Sequence, residues 1–166
     1  MATSLPNSLP EPFGDQIDDV VRIAVITAEW NGNITRAMTD DCIKTLKSHG
    51  VKDDKIKTYT VPGAFELSYA ASRLCVSESF DVIIVFGCVI RGGTPHFDYV
   101  CQGVTQGITT LNTNCDTPVI FGVLTVDNEQ QALERACGPV GHKGAECAEA
   151  ALKMFRFDKD TDNYFV

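Results

Sequence analysis

The sequence predicts an α/β fold, a three-layer αβα sandwich around a four-stranded, doubly wound parallel sheet. Three observations predict it. Short apolar runs rich in β-branched residues alternate with longer segments whose apolar residues recur at helical spacing. The apolar runs are continuous rather than alternating, the pattern of strands covered on both faces. The chain of 166 residues is one domain's worth, enough to bury a core without disulfide or metal.

Residues 1–20 carry Pro6, Pro10, Pro12 and Gly14 among polar residues. They read as an extended or mobile N-terminal arm ahead of a single domain over 21–166. Arg22–Ala28 is the first strand, a short β-branched run. From Ile34 to Ser48 the residues Ile34, Ala37, Met38, Cys42, Ile43 and Leu46 share a helical face, and Gly50 closes the segment. Lys55–Val61 is the second strand, stopped by Pro62-Gly63, and Ala64–Val76 is the second helix. Asp81–Gly87 is the third strand and the most apolar. Thr94 reads as an N-cap with Pro95 at the first helical position, opening a helix to Asn112. Pro118–Thr125 is the fourth strand. Asn128–Cys137 and Lys143–Phe157 close the chain as helices, parted by the turn at Gly138-Pro139-Val140-Gly141. Right-handed crossovers between parallel strands make the winding flavodoxin-like.

The net charge of −8 argues against nucleic acid and against anionic membrane surfaces as partners. An anionic small substrate would need local donors working against the global field. Seven cysteines with no C-x-x-C spacing argue against zinc-ribbon and dithiol sites, so no metal is expected. The expectation is a cytoplasmic protein whose reduced thiols pack as small hydrophobes. Residues 1–20 hold Glu11, Asp15, Asp18 and Asp19 without a basic stretch, unlike a signal peptide. The apolar run Val82–Phe86 is too short to span a bilayer.

In an open parallel sheet, ligands bind beyond the carboxyl ends of the strands. Four loops are expected there: 29–32, 62–66, 88–96 and 126–128. Arg91-Gly92-Gly93-Thr94-Pro95-His96 is the most informative. Two glycines before a helix expose backbone N–H groups to an anion at the positive end of the dipole. The plainer alternative is a βα turn whose glycines supply positive φ. His96, in the first turn of that helix, is placed to hand on a proton. Trp30 offers a ring to stack on a planar heterocycle, against the commoner role of a packing tryptophan. Glu66 either accepts hydroxyl hydrogen bonds from a polyol or serves as an acid favoured at a helix start. Arg135 and Lys143 supply the positive charge an anion needs, or else form solvated pairs with Glu134 and Glu146. His49 is expected to be solvated at a helix end, and His142 stays open. A rival reading makes Cys88 a nucleophile with His96, but the turn is not G-x-C-x-G and no third group orients the imidazole. An FMN module lacks its phosphate cradle after the first strand, and a receiver domain lacks its aspartate where Gly87-Cys88 stands.

The stretches Val61-Pro-Gly-Ala-Phe-Glu66, Gly87 to Val100, Pro118–Thr125, Glu129–Ala136 and Gly141-His-Lys-Gly-Ala-Glu146, in this order, resemble the 6,7-dimethyl-8-ribityllumazine synthase family. The resemblance runs from about residue 20 to 157. It implies condensation of 5-amino-6-(D-ribitylamino)uracil with 3,4-dihydroxy-2-butanone 4-phosphate, with loss of phosphate and without metal or organic cofactor. This is the penultimate step of riboflavin biosynthesis. A non-catalytic lumazine- or flavin-binding member of the same fold is the alternative. By that resemblance Trp30 stacks on the pyrimidine, and Ala64, Phe65 and Glu66 contact the uracil and ribityl chain. Cys88, Val89 and Ile90 line the ring, largely through backbone. Gly93 and Thr94 bind phosphate with Arg135 as clamp, and His96 shuttles protons. Phe121, Arg135 and Lys143 come from a neighbouring subunit. The resemblance further implies a pentamer, association with riboflavin synthase, and an arm that pairs with a neighbour's sheet near Asp15–Val21. Members of the family also build shells of sixty subunits, which the short turn before Lys143 favours. Cys137, Pro139 and Val140 depart from the residues usual in shell-forming turns.

Overall fold

The computed structural model of the chain describes residues 21–77 and 79–162. The predicted arm over 1–20 lies outside them. The order of elements is β1 (Ile23–Ala28), α1 (Gly32–Ser48), a 3₁₀ turn (Asp53–Lys55), β2 (Ile56–Val61), α2 (Leu67–Val76), β3 (Val82–Ile90), α3 (His96–Asn114), β4 (Val119–Val126), α4 (Glu129–Cys137) and α5 (Lys143–Asp162). The four strands form one parallel sheet in the order β2-β1-β3-β4. The winding reverses between β1 and β3, so their carboxyl ends frame the crevice of a doubly wound sheet. Among the described residues, no helix is long and apolar enough to cross a membrane.

Burial follows from position in the sheet. Central β1 is buried at every residue, as a strand covered on both faces must be. Edge strand β2 exposes Lys57, Thr58, Tyr59 and Thr60, polar and bulky residues that suit an unpaired edge. Successive side chains then sort by parity into two cores. Ile23, Val25, Ile84, Phe86, Leu124 and Val126 pack with α1, α4 and α5. Ala24, Ile26, Ile83, Val85 and Val123 pack with α2 and α3. The fully buried Phe86 lies against Gly122, where a Cβ would stand 2.5 Å from its ring.

Three local expectations change. First, β3 continues three residues past Gly87, because Cys88, Val89 and Ile90 pair with Leu124, Thr125 and Val126. Gly87 marks a close approach rather than a strand end; a Cβ there would meet Leu67 at 3.0 Å and Ala64 at 3.1 Å. Second, α2 begins at Leu67, with Glu66 at the cap position. Third, Pro95 rather than Thr94 occupies the N-cap of α3, without a side-chain capping bond. The predicted stop of α1 holds. Gly50 takes φ 92°, and the Val51 N–H donates to the Leu46 carbonyl at 3.1 Å, the bond of a Schellman cap. His49, at the C-cap of α1, is buried, not solvated, where the chain turns back at Gly50 and Val51.

Candidate active site

Backbone hydrogen bonds stitch the loops at the carboxyl edge together. The Glu29 N–H donates to the Val61 carbonyl at 2.8 Å and the Trp30 N–H to the Pro62 carbonyl at 3.1 Å, which joins the β1–α1 and β2–α2 loops. Asn31 adopts φ 57°, ψ 42° at the N-cap of α1, a left-handed conformation that asparagine tolerates better than most residues. Its Nδ2 donates to the Cys88 carbonyl at 2.9 Å, tying the first loop to the end of β3. The Glu66 Oε2 accepts the Gly63 N–H at 3.0 Å, so one carboxylate oxygen is spent on closing its own turn.

These loops and the first turn of α3 enclose a cleft of about 560 Å³ lined by Trp30, Asn31, Ala64, Phe65, Glu66, Cys88, Val89, Ile90, His96, Tyr99 and Val100. A larger groove, about 660 Å³ along one face of α3, holds none of the residues the sequence singled out. Eight of the predicted site residues therefore share one cleft. Asn31, Tyr99 and Val100 line it as well and were not singled out; Asn31, between the only tryptophan and a glycine at a strand end, carried a readable signal. Trp30 is 66% exposed and Phe65 59%, so neither ring is consumed by the core.

The Cys88 side chain is buried in the α1 side of the core. Burial, and to a lesser degree the charge of Glu129, push its thiol from 9.0 to about 11. A thiol held protonated is a poor nucleophile at neutral pH, which argues against the cysteine–histidine reading. His96 is exposed as the first residue of α3.

The turn before His96 is held by Arg91. Its N–H donates to the Val126 carbonyl at 2.9 Å, and its guanidinium reaches Asp127 at 3.0 Å and Asp98 at 3.2 Å. It also lies 4.1 Å from the centre of the Phe97 ring. Arg91 is thus committed to the turn itself. Neither Gly92 nor Gly93 has a positive φ, so the plain reading of these glycines does not apply. A Cβ on either would meet nothing within 4 Å, and the backbone of the turn lies open.

Gly93 and Thr94 stand exposed beside His96. Phe121, Arg135 and Lys143 do not line this cleft. Phe121 faces Val85 across the sheet, three positions and about 10 Å before the strand level of Cys88. It lines a separate depression with Met154 and Phe157. Arg135 donates to the Gln131 carbonyl at 3.2 Å, and Lys143 pairs with Glu146. Both sit on helices packed on the face opposite α2 and α3.

The family model for 6,7-dimethyl-8-ribityllumazine synthase matches residues 20–159. A protein of that name from Parabacteroides distasonis is 49% identical over 158 residues, 95% of this chain and 99% of the relative. Another from Bacteroides fragilis is 50% identical over 137 residues, 82% of this chain and 96% of the relative. A third from Porphyromonas gingivalis is 54% identical over 134 residues, covering 81% and 83%. A match over nearly the whole described chain, at about half identity, leaves one conclusion: the chain belongs to the 6,7-dimethyl-8-ribityllumazine synthase family.

Proposed function

We propose that this cleft is where the chain condenses 5-amino-6-(D-ribitylamino)uracil with 3,4-dihydroxy-2-butanone 4-phosphate, releasing phosphate and 6,7-dimethyl-8-ribityllumazine. The observation that carries the assignment is the convergence of three loops and the start of α3 on one cleft with three exposed aromatic rings and a histidine. Trp30 stacks on the pyrimidine. Ala64, Phe65 and Glu66 contact the uracil and ribityl chain, with the carboxylate oxygen not used by Gly63 left for hydroxyls. Cys88, Val89 and Ile90 present strand backbone to the ring. Gly93 and Thr94 receive the phosphate on the open turn before α3, where the helix dipole favours negative charge. The 5-amino group and the ketone join as an imine with loss of water, which needs a proton on the departing oxygen. Phosphate then leaves as a proton is withdrawn from the carbon chain, and the ribitylamino nitrogen closes the ring on the remaining carbonyl carbon with loss of a second water. His96 takes up and returns these protons.

The positions of Phe121, Arg135 and Lys143 support a site completed by a second copy of the chain. All three are too far round the fold to serve their own cleft, yet a neighbour's Phe121 can cover the ring and its Arg135 and Lys143 can meet the phosphate. Exposed Phe65 and Tyr99 at the cleft, and Phe121 and Phe157 on the far side, are the apolar surfaces such a contact would bury. The family resemblance makes this assembly a pentamer, and the short turn before Lys143 favours twelve pentamers closing a shell. Light scattering that finds only a pentamer-sized particle removes the shell. For the reaction itself, the two substrates are mixed with the protein, and lumazine absorbance and phosphate release are followed together. Tight pyrimidine binding without turnover would contradict the proposal.

A further inference from the structure

We infer that Gly63 and Gly103 are positioning residues for this reaction: each, by having no side chain, seats one exposed aromatic ring of the cleft, Trp30 on Gly63 and Phe65 on Gly103. The inference rests on reading the cleft as the pyrimidine site. It starts from what a side chain would meet. A Cβ at Gly63 would stand 2.5 Å from Cε3 and 2.6 Å from Cζ3 of Trp30. A Cβ at Gly103 would stand 2.6 Å from Cε2 of Phe65. Both are far inside ordinary contact distance.

Backbone conformation is not the reason for glycine at either place. Neither residue has a positive φ, and in the interior of α3 alanine is the better helix former. What both positions provide is bare backbone under a ring. Gly63 is buried, and its N–H is held by the Glu66 carboxylate, so it cannot retreat. Trp30 is pinned at its own N–H to the carbonyl of Pro62, the residue before Gly63. A methyl group at 63 would also stand 3.2 Å from Glu66 Oε2, but the overlap with the indole is far deeper, so the main response is rotation of the indole about its side-chain bonds. At 66% exposure the indole has room to rotate, and so does Phe65 at 59%. The two glycines belong to separate elements, the β2–α2 loop and α3, so the rigid scaffold rather than the rings themselves decides where the rings stand. Rings already in place cost less ordering when a planar ligand arrives.

Trp30 is the chain's only tryptophan, so its emission reports the seat directly. The full chain is compared with Gly63→Ala, Gly103→Ala, Trp30→Ala and the double variant Gly63→Ala/Trp30→Ala. Three quantities are read: tryptophan emission and its quenching by acrylamide, KM for 5-amino-6-(D-ribitylamino)uracil, and kcat. Gly63→Ala should shift the emission and raise KM roughly two- to tenfold, the range one aromatic pair contributes, with kcat nearly unchanged. In the Trp30→Ala background the same substitution should raise KM much less, because the larger part of its effect passes through the indole. Gly103→Ala should raise KM similarly while the Trp30 emission stays put. Unaltered emission and KM in Gly63→Ala would overturn the inference. So would an equal KM effect with and without Trp30, or a Gly63→Ala chain that fails to fold, since an exposed indole can swing clear. If instead Trp30→Ala leaves KM unchanged, the assignment of the cleft fails, while the emission shift still decides whether Gly63 seats the ring.

Discussion

Alanine in place of Gly144 should destabilise this protein, against the sign that helix propensity alone assigns. Gly144 is the second residue of α5, where alanine would gain up to about 1 kcal/mol. A Cβ there, however, would stand 2.2 Å from the Met38 carbonyl oxygen, 2.8 Å from Cβ of Asp41 and 2.9 Å from the Cys42 nitrogen. Two of those neighbours are backbone of α1, which cannot swing aside. The two helices would have to part by about 1 Å to reach ordinary contact. Parting them loosens a packed face of Met38, Cys42, Cys147, Ala148, Ala151 and Leu152, all buried. It also stretches the bond from the Ala145 N–H to Asp41 Oδ2, now 3.0 Å, which caps α5. Overpacking costs about 1–3 kcal/mol and a lost cap about 1 kcal/mol. After the propensity gain the net loss is about 1–3 kcal/mol, a fall in Tm of roughly 2–12 °C for a chain of this size. Gly93→Ala is the matched control. Its Cβ meets nothing, so stability should hold within about 0.5 kcal/mol, while KM for the butanone phosphate rises as a methyl crowds the phosphate turn. Thermal and urea unfolding by circular dichroism, at one protein concentration because assembly contributes, measure both. A Gly144→Ala protein as stable as the parent would refute the packing argument, and a destabilised Gly93→Ala would refute the open turn.

Three further outcomes are expected. His96→Ala should lower kcat by about 10²–10⁴, the usual contribution of a general acid–base group, while Cys88→Ala stays near the parent in steady-state turnover; a lethal Cys88→Ala would revive the thiol. Burial raises the Cys88 thiol from 9.0 to about 11, so the fold favours its neutral form and the unfolded chain ionises first. The stability this contributes is complete below pH 9 and is lost as pH rises towards 11, so the urea midpoint of the parent should fall relative to Cys88→Ala across that window; a constant difference contradicts it. Asn128 Oδ1 accepts the Gln131 N–H at 2.9 Å at the start of α4, so Asn128→Ala should cost about 1 kcal/mol and Asn128→Ser much less, as chemical denaturation will show.

How much of this was legible in the sequence differs between the elements and their ends. The run Ile23–Ala28 announces a strand buried on both faces, because only β-branched and small apolar residues occur in it. The Gly50 stop of α1 is equally local, since a left-handed residue after a helix needs glycine more than it needs neighbours. The end of β3 is not local. Gly87-Cys88 reads as a break, yet the ladder to Leu124, Thr125 and Val126 carries the strand on. Thr94 reads as a cap, but Pro95 occupies the N-cap of α3. The burial of His49 accompanies the turn of the chain at Gly50 and Val51, which composition does not foretell.

The site divides in the same way. The sequence by itself determined which loops meet, since alternating strand and helix patterns put 29–32, 62–66 and 88–96 on one edge of a parallel sheet. It also determined the family, through five stretches in order. Only the tertiary structure decided that Trp30 and Phe65 stand free of the core, that Tyr99 and Val100 turn towards the cleft, and that Phe121, Arg135 and Lys143 turn away from it. The physical reason is that periodicity fixes which residues share a face of an element. Which way that face points is fixed by how helices of different phase pack on a twisted sheet, and by close approaches such as α5 against α1 at Gly144.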